Sequence, residues 1–334
     1  MTPAAIETVA QAARALRQNS SPVVDADTHI TEIGRARGEI RRRYPQSDEY
    51  FHGRPNSAED LIAEMDLSGV HVALSWQDPA STAYGGDQDV NAEALLAANR
   101  YVFESARRHP LRIIPAGWTD PHACGLANAL RIAEICVREF GFFIVKMNPA
   151  QNGYAIDSRD VAAVVDRIVE LGAVPAFHFG ADSPHTPASG LEKLLLRHPH
   201  QAFLGVHMGG GGCSYEGGEV LAVEARRLGL RYPQLRYILS AKRDTHMESD
   251  LLLYRRAGPP FSENLFCASD APYGRVSWNF GGFRQMLRTL EERYPDAFTA
   301  EASADFLGKN FARFALQSLE RLLRAQGATV PAWQ

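Results

Sequence analysis

The chain has 334 residues, of which 45% are hydrophobic and 22% are charged, a composition typical of a soluble globular protein. The net charge of −4 gives no electrostatic reason to expect a nucleic acid or an anionic membrane as a partner, so we expect a small-molecule substrate. The four cysteines (Cys124, Cys136, Cys213 and Cys267) lack CxxC spacing, which argues against a disulfide framework and for a cytoplasmic protein.

The N-terminal segment, residues 1–20, predicts an amphipathic helix. Ile6, Val9, Ala13 and Leu16 recur there at helical spacing. The segment lacks the basic stretch followed by an apolar run that marks a secretory signal. We therefore expect this helix to pack on the main domain or on another subunit of a homo-oligomer such as a dimer.

Eight short β-like runs alternate with helical segments in the remainder of the chain, residues 21–334. The predicted strands cover residues 22–27, 70–76, 112–118, 142–147, 173–179, 202–207, 235–240 and 265–270. Eight βα units without a Pro/Gly/Ser-rich linker predict an α/β fold, a single (β/α)8 TIM barrel with an N-terminal helix and a C-terminal helical extension. A doubly wound sheet is the alternative, but no GxGxxG follows the first strand.

The first predicted strand, in the segment VVDADTHITE, carries an unusual pattern of charge. Asp25, Asp27 and His29 occupy alternate positions, and a strand directs such side chains to one face. Two buried acids on one face are costly without a positive partner. We expect a metal ion to be that partner.

Further polar residues are predicted at the carboxyl ends of the strands, where TIM barrels carry their chemistry. The full set is Asp27, His29, Lys146, His178, His207 and Asp270. Histidine and carboxylate ligands that converge on one point suit a divalent transition metal such as Zn²⁺ or Mn²⁺. We expect one ion per chain, with Zn²⁺ as the first choice and Mn²⁺ as the second.

Several segments resemble the amidohydrolase-related family, whose branch here includes aminocarboxymuconate semialdehyde decarboxylase and the resorcylate-type decarboxylases. The motifs are DADTH, IVKMNP, PAFHFG, LGVHMGGGG and NLFCASDAPYG, and the resemblance runs from about Val23 to Phe314. It implies a metal-dependent TIM barrel. Carried over position by position, it makes Asp27, His29, His178 and Asp270 the metal ligands and His207 the catalytic histidine.

This chain departs from the family pattern on the first and seventh strands. Asp27 stands where many relatives have a histidine and others a glutamate. After the seventh strand, Ser240, Lys242 and Arg243 are predicted to bind an anionic group of the substrate.

Other predicted substrate contacts are Trp76, by stacking on a flat ring, and Lys146. Binuclear relatives use a carboxylated lysine at the position of Lys146, but we favour a free ammonium and a single metal. An arginine from the long loop after the first strand (Arg35, Arg37, Arg41, Arg42 and Arg43) could also reach a carboxylate, although most of these are expected on a solvated face.

Two reactions suit such a metal site, because a divalent ion lowers the pKa of bound water and polarises a carbonyl oxygen. Our first expectation is hydrolysis of an amide, ester or lactone, with His207 or Asp270 moving the proton of the water. The alternative is non-oxidative decarboxylation of an aromatic or unsaturated acid, with the same residues protonating the carbon that loses CO2. A second alternative is a non-catalytic metal-binding barrel.

Overall fold

Parallel strands alternate with helices throughout the computed structural model, which describes residues 1–34, 55–82, 84–180, 184–210, 215–241 and 244–330. The strands within these ranges are β1 (Val24–Ile30), β2 (Val72–Gln77), β3 (Ile113–Pro115), β4 (Gly117–Trp118), β5 (Ile144–Met147), β6 (Val174–His178), β7 (Phe203–Val206), β8 (Leu235–Leu239) and β9 (Leu265–Cys267). They pair in chain order, β1 to β3 and then β4 to β9, and every paired neighbour is parallel.

The predicted third strand, residues 112–118, is divided into β3 and β4. Pro115 has no backbone N–H to give to a ladder, and the chain changes its pairing partner directly after it. β3 pairs with β2, whereas β4 pairs with β5. The two strands are therefore successive parts of one of the barrel's eight strand positions, here called staves. The number of staves agrees with the eight strands predicted from the sequence.

The last stave meets the first one through the residues that follow β9. Thr28 of β1 forms a parallel bridge with Ala271. The backbone N–H of Asp270 donates to the carbonyl oxygen of Asp27, with a distance of 2.9 Å. These contacts return the chain to β1, and the predicted TIM-barrel fold is confirmed.

Helices follow the strands and pack on the outside of the barrel. Those in the described ranges are α1 (Pro3–Arg17), α2 (Ala58–Ser68), α3 (Gln88–Arg108), α4 (Pro121–Cys124), α5 (Leu126–Arg138), α6 (Pro149–Asn152), α7 (Arg159–Glu170), α8 (Ala188–Arg197), α9 (Tyr215–Arg231), α10 (Asp244–Ala257), α11 (Val276–Arg293), α12 (Ala300–Ala304) and α13 (Asn310–Ala325). A π-helical turn, Asp305–Lys309, joins the last two. Across these ranges we find no helix with the length and apolar character to cross a membrane.

Helix α1 lies at the amino end of the barrel. The N–H of Thr2 donates to the carbonyl oxygen of Arg138 at 2.8 Å, and the side chain of Gln18 donates to the carbonyl oxygen of Leu111 at 3.0 Å. Both acceptors precede a strand of the barrel. The helix predicted in residues 1–20 therefore packs at the amino end of the barrel, away from the predicted site, while its contact with another subunit stays a prediction.

The backbone adopts a left-handed conformation where three strands end at the opposite, carboxyl side. His207, Met208, Ala241 and Asp270 have φ angles of 77°, 48°, 49° and 59° and are the described non-glycine residues with positive φ. This conformation costs a non-glycine residue about 1 kcal/mol or more. All four follow β7, β8 or β9, so backbone strain is concentrated at the end where the sequence predicts the site.

Asp25 supports the junction between the first and last staves. Its side chain is fully buried, and its Oδ1 accepts from the backbone N–H of Ser269 at 2.9 Å. Burial raises the pKa of Asp25 from 3.8 to about 7, against the opposing effect of the bonds from Ser269. The carboxyl is therefore a structural acid that the folded protein keeps protonated over a wider pH range than the unfolded chain does.

The variant Asp25→Asn tests this assignment. Because the folded-state pKa of Asp25 lies above the unfolded value, wild type should lose stability as pH rises from about 4 to about 7, and the asparagine should not. We expect the free energy of unfolding of the variant, relative to wild type, to rise by at most about 4 kcal/mol over this range. Urea unfolding at pH 5 and pH 8.5 measures it. A relative stability that falls as pH rises would contradict the assignment.

Candidate metal centre

The carboxylate of Asp27 is at the centre of the site and is fully buried. Its Oδ1 accepts from Trp76 Nε1 at 2.9 Å and lies 3.4 Å from Lys146 Nζ, and its Oδ2 accepts from Ser240 Oγ at 2.7 Å. Burial disfavours the charged form, but the positive charge of Lys146, together with the hydrogen bond from Ser240, holds the pKa of Asp27 well below its usual range. Asp27 is therefore a carboxylate held by donors from β2, from β5 and from the residue that follows β8.

Lys146 occupies a slot between two indole rings. Its Nζ lies 5.0 Å from the ring centroids of both Trp76 and Trp118, and only 1% of the residue is exposed. An ammonium is attracted to aromatic faces, whereas a carboxylated lysine would place negative charge against both faces and beside Asp27. The surroundings favour the free ammonium over a metal-bridging carbamate.

Trp76 and Lys146 were predicted to contact substrate. Both lie within the barrel and contact Asp27, and Trp76 has no exposed surface. Their direct contact with a substrate stays a prediction.

His29 directs one ring nitrogen toward two carboxylates. Its Nδ1 lies 2.9 Å from the carbonyl oxygen of Gln77, which can only accept, so Nδ1 carries the proton. Nε2 then presents its lone pair 3.6 Å from Asp27 Oδ1 and 3.5 Å from Asp270 Oδ1. Burial, together with the charge of Lys146, lowers the pKa of His29 and keeps the ring neutral. Histidines that bind metals are neutral and are oriented in this way, by a hydrogen bond from the ring nitrogen that does not bind the metal.

Asp270 completes a group whose donor atoms fit a divalent cation. One ligand atom from each of Asp27, His29 and Asp270 lies within 4.8 Å of the others. Burial raises the pKa of Asp270 to about 7, and His207 is the neighbour that most opposes this rise. Two carboxylates and one imidazole suit Zn²⁺ or Mn²⁺ and leave coordination positions open for a substrate.

His178 and His207 lie next to each other beside this group. Their ring centroids are 4.5 Å apart, with the rings at 67°. Both residues are buried, and burial lowers the pKa of each ring. The compact group of three described above does not include His178, so its role as the fourth ligand stays a prediction, as does the catalytic role of His207.

Ser240 and two aromatic residues take part in the site in ways that the sequence did not reveal. Ser240 is fully buried and contacts Asp27 and His207, while its predicted contact with an anionic group of the substrate stays a prediction. Trp118 and Tyr273 pack edge-on against His29, with centroids at 5.9 and 5.4 Å. Tyr273 belongs to the motif ASDAPYG, which was the available signal for it.

Several residues predicted to bind the substrate lie outside the described ranges. They are Lys242 and Arg243 after the seventh predicted strand and the loop arginines Arg35, Arg37, Arg41, Arg42 and Arg43. Their contact with an anionic substrate stays a prediction.

The fold is shared with solved structures of decarboxylases. A 2,6-dihydroxybenzoate decarboxylase from Rhizobium is 12% identical, with a TM-score of 0.64 over 88% of this chain and 98% of that chain. A dihydroxybenzoic acid decarboxylase from Polaromonas sp. JS666, with bound manganese and 2-nitroresorcinol, is 13% identical, with a TM-score of 0.64 over 88% and 97%. A 5-carboxyvanillate decarboxylase from Novosphingobium aromaticivorans, complexed with manganese and 4-hydroxy-3-methoxy-5-nitrobenzoic acid, is 16% identical, with a TM-score of 0.66 over 89% and 97%.

The sequence itself also matches a family. A search of curated proteins gives no match to this chain. Residues 24–314, however, match the family described as Amidohydrolase. The matched range begins with β1, ends within α13 and contains all the residues of the site described above. The chain therefore belongs to the amidohydrolase family of metal-dependent TIM-barrel enzymes.

Proposed function

We propose that the protein is a metal-dependent, non-oxidative decarboxylase of a small aromatic carboxylic acid. The observation that carries the proposal is the group formed by Asp27, His29 and Asp270, on a fold shared with decarboxylases of dihydroxybenzoate and 5-carboxyvanillate. These relatives support decarboxylation better than the hydrolysis that we first expected. Manganese in two of them supports Mn²⁺ over Zn²⁺ as the ion.

Charge at the site supports an anionic substrate. The carboxylates of Asp27 and Asp270 and the ammonium of Lys146 together carry one negative charge when both acids are ionised. A single divalent ion would change this to one positive charge in a buried site, where charges interact more strongly than in water. A substrate carboxylate would lower this positive charge whether or not Asp270 carries a proton, whereas a neutral amide or ester would not.

Asp27, His29 and Asp270 would hold the ion, with His178 as the proposed fourth ligand. A divalent ion held there would supply a positive charge that polarises the oxygens of a substrate carboxylate. Trp118 and Tyr273, which pack against His29, would limit the space beside it. This supports a flat substrate.

Asp270 is the best placed acid for the proton transfer. It is 9% exposed, whereas Asp27 has no exposed surface, so an incoming ring can reach Asp270. We propose that the carboxyl of Asp270 gives its proton to the ring carbon that bears the substrate carboxylate. The bond from that carbon to the carboxylate then breaks, its electron pair returns to the ring, and CO2 leaves. His207, whose charge is coupled to that of Asp270, would return a proton from solvent to the acid.

Loss of either carboxylate from the proposed ligand set should weaken metal binding. Asp27→Asn and Asp270→Asn keep the shape of the side chain but remove its charge. We expect each to reduce Mn²⁺ affinity by about 10- to 100-fold or more, measured by titrating metal-free protein calorimetrically. Asp66→Asn, at a surface acid paired with Arg112, is the control and should bind Mn²⁺ like wild type. An affinity within a few-fold of wild type for Asp27→Asn would remove Asp27 from the ligand set.

His207→Asn separates proton transfer from metal binding. We expect the variant to retain its metal but to lose about 10²- to 10⁴-fold in kcat, the usual effect of removing a general acid or base. Metal analysis and steady-state kinetics on the same sample measure both quantities. Loss of the metal would make His207 a ligand, and an unchanged kcat would make it structural.

The reaction itself is tested by a substrate panel. Mn²⁺-loaded protein should release CO2 from one or more hydroxylated benzoic acids, since these carry both the carboxylate and the neighbouring oxygen that the site would bind. A chelator should abolish the release, and added Mn²⁺ should restore it. Metal-dependent hydrolysis of amides, esters or lactones without any CO2 release from the acids would refute the proposal.

A further inference from the structure

We propose that Ser240 is a positioning residue that couples His207 to the carboxylate of Asp27. This inference rests on the proposed function only for its kinetic consequence. Ser240 follows directly after β8 and is fully buried. Its Oγ lies 2.7 Å from Asp27 Oδ2 and 2.9 Å from His207 Nδ1, so a single hydroxyl bridges the two side chains.

The direction of both hydrogen bonds follows from the number of protons available. Trp76 and Lys146 both donate to Asp27, which is therefore a carboxylate and can only accept. The single hydroxyl proton of Ser240 therefore forms the hydrogen bond to Asp27. The oxygen of Ser240 must then accept from His207, and the proton of the neutral ring sits on Nδ1.

The backbone around Ser240 supports the same tautomer. Its carbonyl oxygen is a second acceptor, 3.2 Å from His207 Nδ1. The N–H of His207 donates to the carbonyl oxygen of Ile238 at 2.9 Å, which fixes the end of β7 against β8. His178 packs edge-on against the ring of His207 and restricts its rotation. The lone pair of His207 is thus confined to Nε2.

This chain of bonds orients the histidine in the way that a carboxylate orients the histidine of a hydrolase triad, with a hydroxyl inserted between them. Nε2 is the nitrogen that can accept a proton. When Nε2 is protonated, the positively charged ring donates from Nδ1 to Ser240, and the hydroxyl proton of Ser240 points to the negative carboxylate of Asp27. The same bond holds Oδ2 of Asp27, while Trp76 and Lys146 hold Oδ1, so Ser240 also fixes the rotation of a proposed metal ligand.

The first test uses metal-free protein and needs no substrate. Nitrogen chemical shifts of ¹⁵N-histidine-labelled protein distinguish a protonated ring nitrogen from one with a lone pair, and His207→Asn identifies the signals of His207. We expect the proton on Nδ1 and the lone pair on Nε2. A proton on Nε2 alone would overturn the proposal, because Ser240 could not then accept from His207.

The second test uses three variants. We expect Ser240→Ala to lower Mn²⁺ affinity by about 10-fold and kcat by about 10- to 100-fold, with KM within about 2-fold of wild type. Ser240→Thr keeps the hydroxyl and should restore most of both losses. Ser105→Ala removes another fully buried hydroxyl, one on the outer helix α3 that accepts from Arg108 at 3.2 Å, and should change neither quantity.

Equal behaviour of Ser240→Ala and Ser105→Ala would refute the coupling. If wild type releases no CO2 from any acid tested, the proposed function fails, but the tautomer and the Mn²⁺ affinity still decide the role of Ser240. Failure of the two proposals is therefore distinguishable.

Discussion

A carboxylate without exposed surface, that of Asp27, is the constraint on which the centre of this protein depends. A buried charge left without a partner typically costs about 3 to 5 kcal/mol. Its donors come from β2, β5 and the residue after β8, so the hydrogen bonds of one side chain connect well-separated parts of the barrel wall. The requirement to satisfy this charge positions Trp76, Lys146 and Ser240 as a set, and Ser240 in turn bonds to His207.

Two different positive charges would compensate the carboxylate of Asp27 in the proposed enzyme. The first is the ammonium of Lys146, which belongs to the chain and lies between two indole rings. The second would be the proposed metal ion, held by Asp27 together with His29 and Asp270. Because the ammonium remains when the metal leaves, the carboxylate keeps a compensating charge in the metal-free protein, and the site need not collapse.

Much of the fold could be predicted from the sequence, because short apolar runs mark the staves and the segments between them keep helical spacing. Asp25, Asp27 and His29, which alternate along β1, are all buried, but the register of β1 against β2 shifts between Asp25 and Thr28 and interrupts the simple alternation. The alternation could not separate their roles, since Asp25 supports the junction with Ser269 while Asp27 faces the site. Periodicity predicts neither an irregularity of this kind nor the atom that a buried side chain contacts.

The partners of Asp27 were the part of the site that the sequence concealed. The sequence predicted a metal ion as the partner of the buried acids and a free ammonium at Lys146, but it did not reveal that Lys146, Trp76 and Ser240 all donate to Asp27. These contacts depend on the twist of the staves and on how the chain turns after β8, which cannot be derived from spacing along one segment. The break after Pro115 had a visible cause in the sequence, because proline cannot donate to a ladder.

The left-handed backbone at the carboxyl ends of the strands has a consequence for how the molecule responds to heat. Glycine would adopt the conformation of Met208 and Ala241 without strain, yet both positions carry side chains. Strain of this kind is typical of sites where function opposes stability. The amino end of the barrel, in contrast, is covered by α1. The strained backbone and the covering helix therefore lie at opposite ends of the barrel. On gentle warming, the backbone amides that follow β7, β8 and β9 should exchange hydrogen with solvent before the amides under α1 do.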